Sequence, residues 1–219
     1  MTGLNVIAID GAAGSGKSTL ARRLAIRLDL PYVNTGLMYR WLASEAIRSG
    51  VSPADAEELV RLTARSRFRL AGASPRELQV DGHSADELTA PDVERTVPIV
   101  AAHPAVRSWM RDAQRRLGEA GAVMEGRDIG SVVFPDAPVK IYLLAHADDR
   151  ISRRADERRD RSAAEVAAAL EERDELDAKT HPFAPAPGAF VIDTGALDAD
   201  EVVEAALDVI RRLAPELLR

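Results

Sequence analysis

Eight residues near the N-terminus, Gly11-Ala12-Ala13-Gly14-Ser15-Gly16-Lys17-Ser18, constrain the fold of this 219-residue chain more than any other stretch. Before them runs Leu4-Asn5-Val6-Ile7-Ala8-Ile9, β-branched and nearly all apolar, the pattern of a strand buried on both faces. After them, residues 18–28 carry apolar side chains at helical spacing. Strand, glycine-rich turn and helix in the spacing G-x-x-x-x-G-K-[ST] make a phosphate-binding loop. Its glycines let the backbone curl until successive N–H groups face phosphate oxygens, and the helix N-terminus adds positive potential. A nucleoside triphosphate is therefore the expected ligand of residues 11–19, from Gly11 to Thr19. Lys17 is placed to neutralise β- and γ-phosphate charge, and Ser18 to ligate Mg²⁺.

Strand and helix keep alternating after the loop. Pro31-Tyr32-Val33 reads as a second strand and residues 37–49 as a second helix stopped by Gly50, which points to βαβ units and a parallel sheet. The rhythm breaks in the middle. Phe68-Arg69-Leu70 and Leu78-Gln79-Val80, with the turn-like Asp81-Gly82, suggest a small β-ribbon. Residues 91–120 are helical in pattern, interrupted by Pro98 and Pro104. Residues 60–115 are thus expected to form an insert docked on a core made of 1–59 and 116–219. Core strands resume at 122–125 and 139–144, followed by an Arg-rich helix from 148, a further helix to 178, a Pro-rich loop and a last strand at 190–192. Asp198 and Glu201 spell a capping box that opens the final helix.

Composition excludes several classes. Hydrophobic residues make up 46% and charged residues 29%, which suits a globular chain and not a disordered one. Cysteine is absent, so disulfide scaffolds and thiolate zinc sites are impossible. The four His are scattered, and structural or surface roles are expected for them; Trp41 and Trp109 sit on helical patterns as core residues. A net charge of −6 disfavours a protein that coats a nucleic-acid polymer. No apolar run approaches the roughly 20 residues of a membrane span. A soluble, cytoplasmic monomer with small-molecule partners is expected.

Two further stretches fall at strand ends beside the loop, where open α/β sheets bind ligands. In Asn34-Thr35-Gly36-Leu37-Met38-Tyr39-Arg40, Thr35 is the expected helix N-cap and Arg40 sits on the first turns, within reach of a phosphate. Glu125-Gly126-Arg127-Asp128-Ile129-Gly130 brings an Arg and an Asp over the same crevice, or a structural salt bridge. The dense arginines of 150–161 read as a lid: Arg153 and Arg154 facing phosphates, the others facing water in pairs such as Glu157–Arg161.

Together these stretches resemble the bacterial-type cytidylate kinases, over nearly the whole chain. The resemblance rests on the glycine-rich loop, the T-G-x-M-Y-R run, the long match from Gly126 to Leu143, and Arg173-Asp174-Glu175-Leu176-Asp177. It implies a three-layer P-loop fold with a five-stranded parallel sheet, an inserted monophosphate-binding subdomain and an Arg-rich lid. It also implies transfer of a γ-phosphoryl group from ATP, with Mg²⁺, to CMP or dCMP. By the same resemblance Thr35, Gly36, Tyr39 and Arg40 bind the acceptor and its α-phosphate. Arg107 and Asp128 read cytosine, Arg127 lies beside the phosphates, and Arg173 and Asp177 lie near the acceptor's sugar and phosphate. Lys17, Arg127, Arg153, Arg154 and Arg173 are the expected catalytic set. The chain departs from the family pattern at Ala12, Asn34, Pro98 and Thr180 or its neighbour Lys179. A kinase of another small acceptor (UMP, AMP or a hydroxylated metabolite) and a catalytically silent nucleotide-binding module are the alternatives.

Overall fold

The computed structural model describes residues 5–157, 162–178 and 184–218, the last two residues of the first segment by backbone alone. The lid arginines Arg158, Arg159 and Arg161, the pair Glu157–Arg161, and Lys179, Thr180 and His181 lie outside what it describes.

Strands and helices alternate from the start. Strand β1 (Val6–Gly11) leads through the glycine-rich loop into α1 (Lys17–Leu28), and β2 (Tyr32–Asn34) into α2 (Thr35–Ser49). Next come α3 (Ala56–Thr63), the ribbon of β3 (Phe68–Ala71) and β4 (Glu77–Val80), and helices α4 (Ala85–Leu88), α5 (Pro91–Ala101) and α6 (Pro104–Gly118). Strand β5 (Ala122–Gly126) is followed by a π-helical turn, Ile129–Val133, and then by β6 (Val139–Leu144). Helices α7 (Ala147–Glu157) and α8 (Ala163–Ala178), β7 (Phe190–Asp193) and α9 (Ala199–Leu213) complete the order.

The strands form one sheet in the order β3-β4-β2-β5-β1-β6-β7. This corrects the expected count of five. The five strands from β2 to β7 are parallel, and the ribbon adds two more: β4 joins β2 in parallel and β3 joins β4 antiparallel. Three-residue β2 would otherwise leave an edge of open N–H and C=O groups. The ribbon pairs it at Tyr32↔Glu77, and the Tyr32 N–H donates to the Arg76 carbonyl at 2.8 Å.

Side chains of β1 show how the sheet is packed. Val6 and Ala8 face a core shared with α2, α3, α5 and α6, whereas Ile7 and Ile9 face one shared with α1 and α9. Strict alternation on a strand covered on both faces explains why almost every residue is apolar. Each fully buried Ile or Leu there contributes about 1.5–3 kcal/mol. Trp41 is buried and Trp109 packs on the same core, with Phe68 between their rings at centroid distances of 5.4 and 6.0 Å.

Capping differs from expectation at one end. Asn34, not Thr35, caps α2, its side chain accepting from the Leu37 N–H at 3.2 Å. Thr35 is the first helical residue and turns its hydroxyl inward instead. The capping box of Asp198 and Glu201 opens α9 as the sequence indicates. Pro104 sits in the first turn of α6, where its missing N–H costs nothing, while Pro98 lies inside α5. No helix among the described residues is long and apolar enough to cross a membrane.

Candidate active site

Every candidate side chain comes from the carboxyl end of a strand or from a helix packed over it. The loop after β1 turns through Gly14 and Gly16, with φ of 73° and 91°, a region that side chains with a Cβ avoid. Gly16 is the N-cap of α1 and offers no side chain to the first helical N–H groups, which leaves them facing the crevice. Lys17 is buried, and its Nζ donates to the Ala12 carbonyl at 2.5 Å and to Ser15 Oγ at 3.4 Å. Burial, with the nearby Arg127 cation, holds its pKa well below the ordinary lysine value.

Ser18 donates to Glu125 Oε2 at 3.0 Å, and the Tyr32 hydroxyl donates to Oε1 of the same carboxylate at 2.5 Å. Burial and the negative charge of Glu125 raise the Tyr32 pKa, so the phenol stays a donor. Thr35 donates to the Glu125 carbonyl at 2.7 Å. The end of β5 is thereby tied to α1, β2 and α2 through one residue. Glu125 and Tyr32 were not among the candidates that the sequence nominated. Glu125 stood inside a recognised motif, but its partners lie 93 and 107 positions away.

The acceptor-side candidates gather in the same crevice. Thr35, Gly36, Tyr39 and Arg40 line it from α2, Arg127 and Asp128 from the turn after β5, and Arg173 and Asp177 from α8. Arg127 Nε donates to Asp177 Oδ2 at 2.9 Å, and its Nη1 to the Gly11 carbonyl at 3.0 Å. Arg107 does not line the crevice itself but donates to Asp128 Oδ2 at 2.9 Å. Gln114 of α6 hydrogen-bonds the Tyr39 hydroxyl, whose pKa rises through burial and the charge of Asp128. Burial and the cations Arg127 and Arg40 pull the pKa of Arg173 down to about 10, and it remains charged at neutral pH.

The arginines of α7 separate. Arg154 faces the crevice and pairs with Glu94 of α5 at 2.9 Å, the same carboxylate that lies 3.7 Å from Arg40. Burial lowers the pKa of Arg40, and Glu94 opposes that shift. Arg153 lies outside this crevice, donating to Thr194 Oγ1 at 2.9 Å and to the Thr194 carbonyl at 2.5 Å, in a second pocket that it shares with Ser15, Gly16 and Thr19 of the loop. Arg150, given no phosphate-facing role from sequence, lies on the loop: Nη1 donates to the Ala13 carbonyl at 3.2 Å, and Nη2 pairs with Asp174 at 2.6 Å. The helical repeat explains why Arg153 and Arg154 part, because consecutive residues leave the helix axis about 100° apart.

The described histidines stand apart from this crevice. His83 is buried between Ser44, at 2.9 Å, and Glu45, at 3.2 Å, and His103 meets the Pro53 carbonyl at 2.8 Å. His146 is exposed. Among the described residues no group of three or more His, Cys, Asp or Glu is placed to hold a metal ion.

One crevice therefore joins a phosphate-binding loop to a second cationic set and to a paired Arg and Asp beyond it. Comparison with known proteins gives the family. The family described as cytidylate kinase matches residues 7–212. A cytidylate kinase of Thermus thermophilus is 44% identical, over 94% of this chain and 99% of its own. One of Granulibacter bethesdensis is 41% identical, over 96% and 98%. A bifunctional pantoate ligase/cytidylate kinase of a Synechococcus strain is 39% identical over 95% of this chain, which spans 41% of that longer protein. An uncharacterized protein from Eubacterium ventriosum, at 16% identity and a TM-score of 0.50, shares the fold over 94% of this chain and 98% of its own. The chain belongs to the cytidylate kinase family.

Proposed function

We propose that this enzyme transfers the γ-phosphoryl group of ATP to CMP or dCMP, giving ADP and CDP or dCDP. The observation that carries the proposal is the convergence of Lys17, Arg40, Arg127, Arg154 and Arg173 on one crevice between the glycine-rich loop and the Arg107–Asp128 pair. Two polyanions repel each other at contact distance, and five cations there offset that repulsion.

An oxygen of the acceptor phosphate attacks the γ-phosphorus, and the bond from that phosphorus to the β-phosphate bridging oxygen breaks. The attacking group's second ionisation lies near pH 6, by analogy with phosphorylated side chains, so it is already largely anionic at pH 7. No side chain has to remove a proton. What the protein supplies is alignment and charge: Lys17 and the loop N–H groups on the donor, Arg40, Arg127 and Arg173 on the acceptor phosphate.

Base selection follows from hydrogen-bond polarity. Cytosine offers an amino group to the Asp128 carboxylate and ring acceptors to the Arg107 guanidinium. Uracil would turn a carbonyl oxygen toward Asp128, oxygen against oxygen. The 2.9 Å contact between Arg107 and Asp128 supports this assignment, since it fixes the carboxylate before any base arrives.

The residues at the loop also suit Mg²⁺. Ser18 and Glu125 give a hydroxyl and a carboxylate 3.0 Å apart, hard oxygen donors of the kind Mg²⁺ takes alongside phosphate oxygens and water. When bound, the ion neutralises charge on the transferring group. Residues 60–115 serve as the acceptor-binding insert and the region 148–165 as a lid that excludes water. The enzyme acts as a cytoplasmic monomer on free nucleotides, not on a nucleic-acid polymer or at a membrane.

An acceptor panel in an ADP-release assay tests this. CMP and dCMP are expected to support turnover at least tenfold above UMP, AMP and shikimate. ATP binding without formation of any nucleoside diphosphate would overturn it in favour of a silent binding module.

A further inference from the structure

Asp10, the penultimate residue of β1, is a buried carboxylate, 5% exposed, that none of the steps above uses. Its Oδ1 accepts from the Ile129 N–H and its Oδ2 from the Gly130 N–H, each at 2.8 Å. Those amides open the π-helical turn directly behind Arg127 and Asp128, and both Ile129 and Gly130 are buried, so no solvent competes for them. From the other side, the Asp128 carbonyl accepts from the Val132 and Val133 N–H groups at 2.9 and 3.2 Å. The next residue of β1, Gly11, holds the Arg127 guanidinium through its carbonyl.

We propose that Asp10 is a positioning residue for acceptor recognition: its two oxygens lock the turn that aims Asp128 at the base. The proposal rests on the reading of Asp128 as a base-contacting residue. A carboxylate suits the place because it presents two acceptors to two parallel donors. An asparagine would keep one and turn an N–H₂ group against the other amide. Burial raises the Asp10 pKa while the two N–H donors and Lys17 lower it, so those hydrogen bonds also help keep the buried anion in place.

Lys17 lies close enough to feel that charge, so a purely electrostatic role toward the donor loop is the competing explanation. Two variants separate them. Asp10→Asn removes the charge and one acceptor. Asp10→Glu keeps the charge but displaces both oxygens by one methylene.

Steady-state constants for CMP and the equilibrium affinity for ATP are measured in both, and again with Asp128→Ala. Positioning predicts that each Asp10 variant raises the KM for CMP about tenfold or more. It also predicts ATP affinity within twofold of wild type, and no further rise in KM once Asp128 is gone. Full restoration by Asp10→Glu, weakened ATP binding with an unchanged KM for CMP, or additive losses in the double variant would overturn the proposal. So would a lower Tm with both constants unchanged. Should either variant not fold, hydrogen exchange on the wild-type protein decides: the Ile129 and Gly130 amides are expected among the slowest to exchange, and loop-like rates would overturn the idea. CMP turnover by the wild-type enzyme belongs to the functional proposal alone, so the two can fail separately.

Discussion

Lys17 is a costly residue for the folded chain. Its ammonium is buried beside Arg127 and Arg173, and its pKa lies well below the ordinary lysine value. Keeping it protonated therefore destabilises the folded state below that lowered pKa, and the penalty fades as pH rises toward the usual lysine range. Lys17→Met is expected to lower kcat at least about a thousandfold, read by ADP release. Its Tm at pH 7 should not fall below wild type, and any gain should shrink as pH approaches 10. Gly126 is limited by space: a Cβ there would lie 2.7 Å from Ile129 Cδ1 and 2.8 Å from Thr35 Oγ1. Gly126→Ala is expected to cost about 1–3 kcal/mol in denaturant unfolding and to raise the KM for CMP, since both neighbours belong to the acceptor side. At this scale the sequence disclosed motif residues well, because a fixed spacing binds phosphate through backbone geometry alone. It did not disclose Glu94, Glu125 or Tyr32, whose roles arise from partners distant in the chain.

Helices carry the site's arginines other than Arg127, and α2 shows how the start of a helix bears on where they lie. Asn34 caps α2 five residues before Tyr39 and six before Arg40. Asn34→Ala should lower stability by about 1 kcal/mol and lower Tm by about 2–4 °C, with a rise in the KM for CMP. Asp198 provides the comparison: it caps α9, which packs on the opposite face of the sheet. Asp198→Ala should lower Tm by a similar amount and leave the KM for CMP unchanged. Helix phase also separates Arg153 from Arg154 on α7. Composition announced an arginine cluster, but which members meet the loop depends on how α7 lies against α8, where Arg150 finds Asp174, and against Thr194, which takes Arg153. The extra strands escaped for a related reason. The ribbon was legible from Phe68 to Val80, yet its docking on β2 runs through a tertiary contact at Tyr32.

The molecule as a whole holds a cationic crevice inside an acidic chain of net charge −6. Anions that fill both halves of that crevice together should stabilise it most. A cytidine and an adenosine joined through a polyphosphate bridge, at 100 times its Kd, is expected to add about 2.7 kcal/mol and raise Tm by about 5–10 °C. Either nucleotide alone at the same absolute concentration should give less. With no side chain acting as base, the acid limb of kcat/KM for CMP should follow the substrate's own ionisation near pH 6, in wild type and in Asp128→Ala alike. Among the described residues, β4 meets the parallel sheet at the single register pair Tyr32↔Glu77. The ladder therefore contributes little to seating the ribbon. Leu78 of β4 lies in the same buried cluster as Met38 and Trp41 of α2 and Val6 of β1, so apolar contact, not strand pairing, fastens this margin of the sheet.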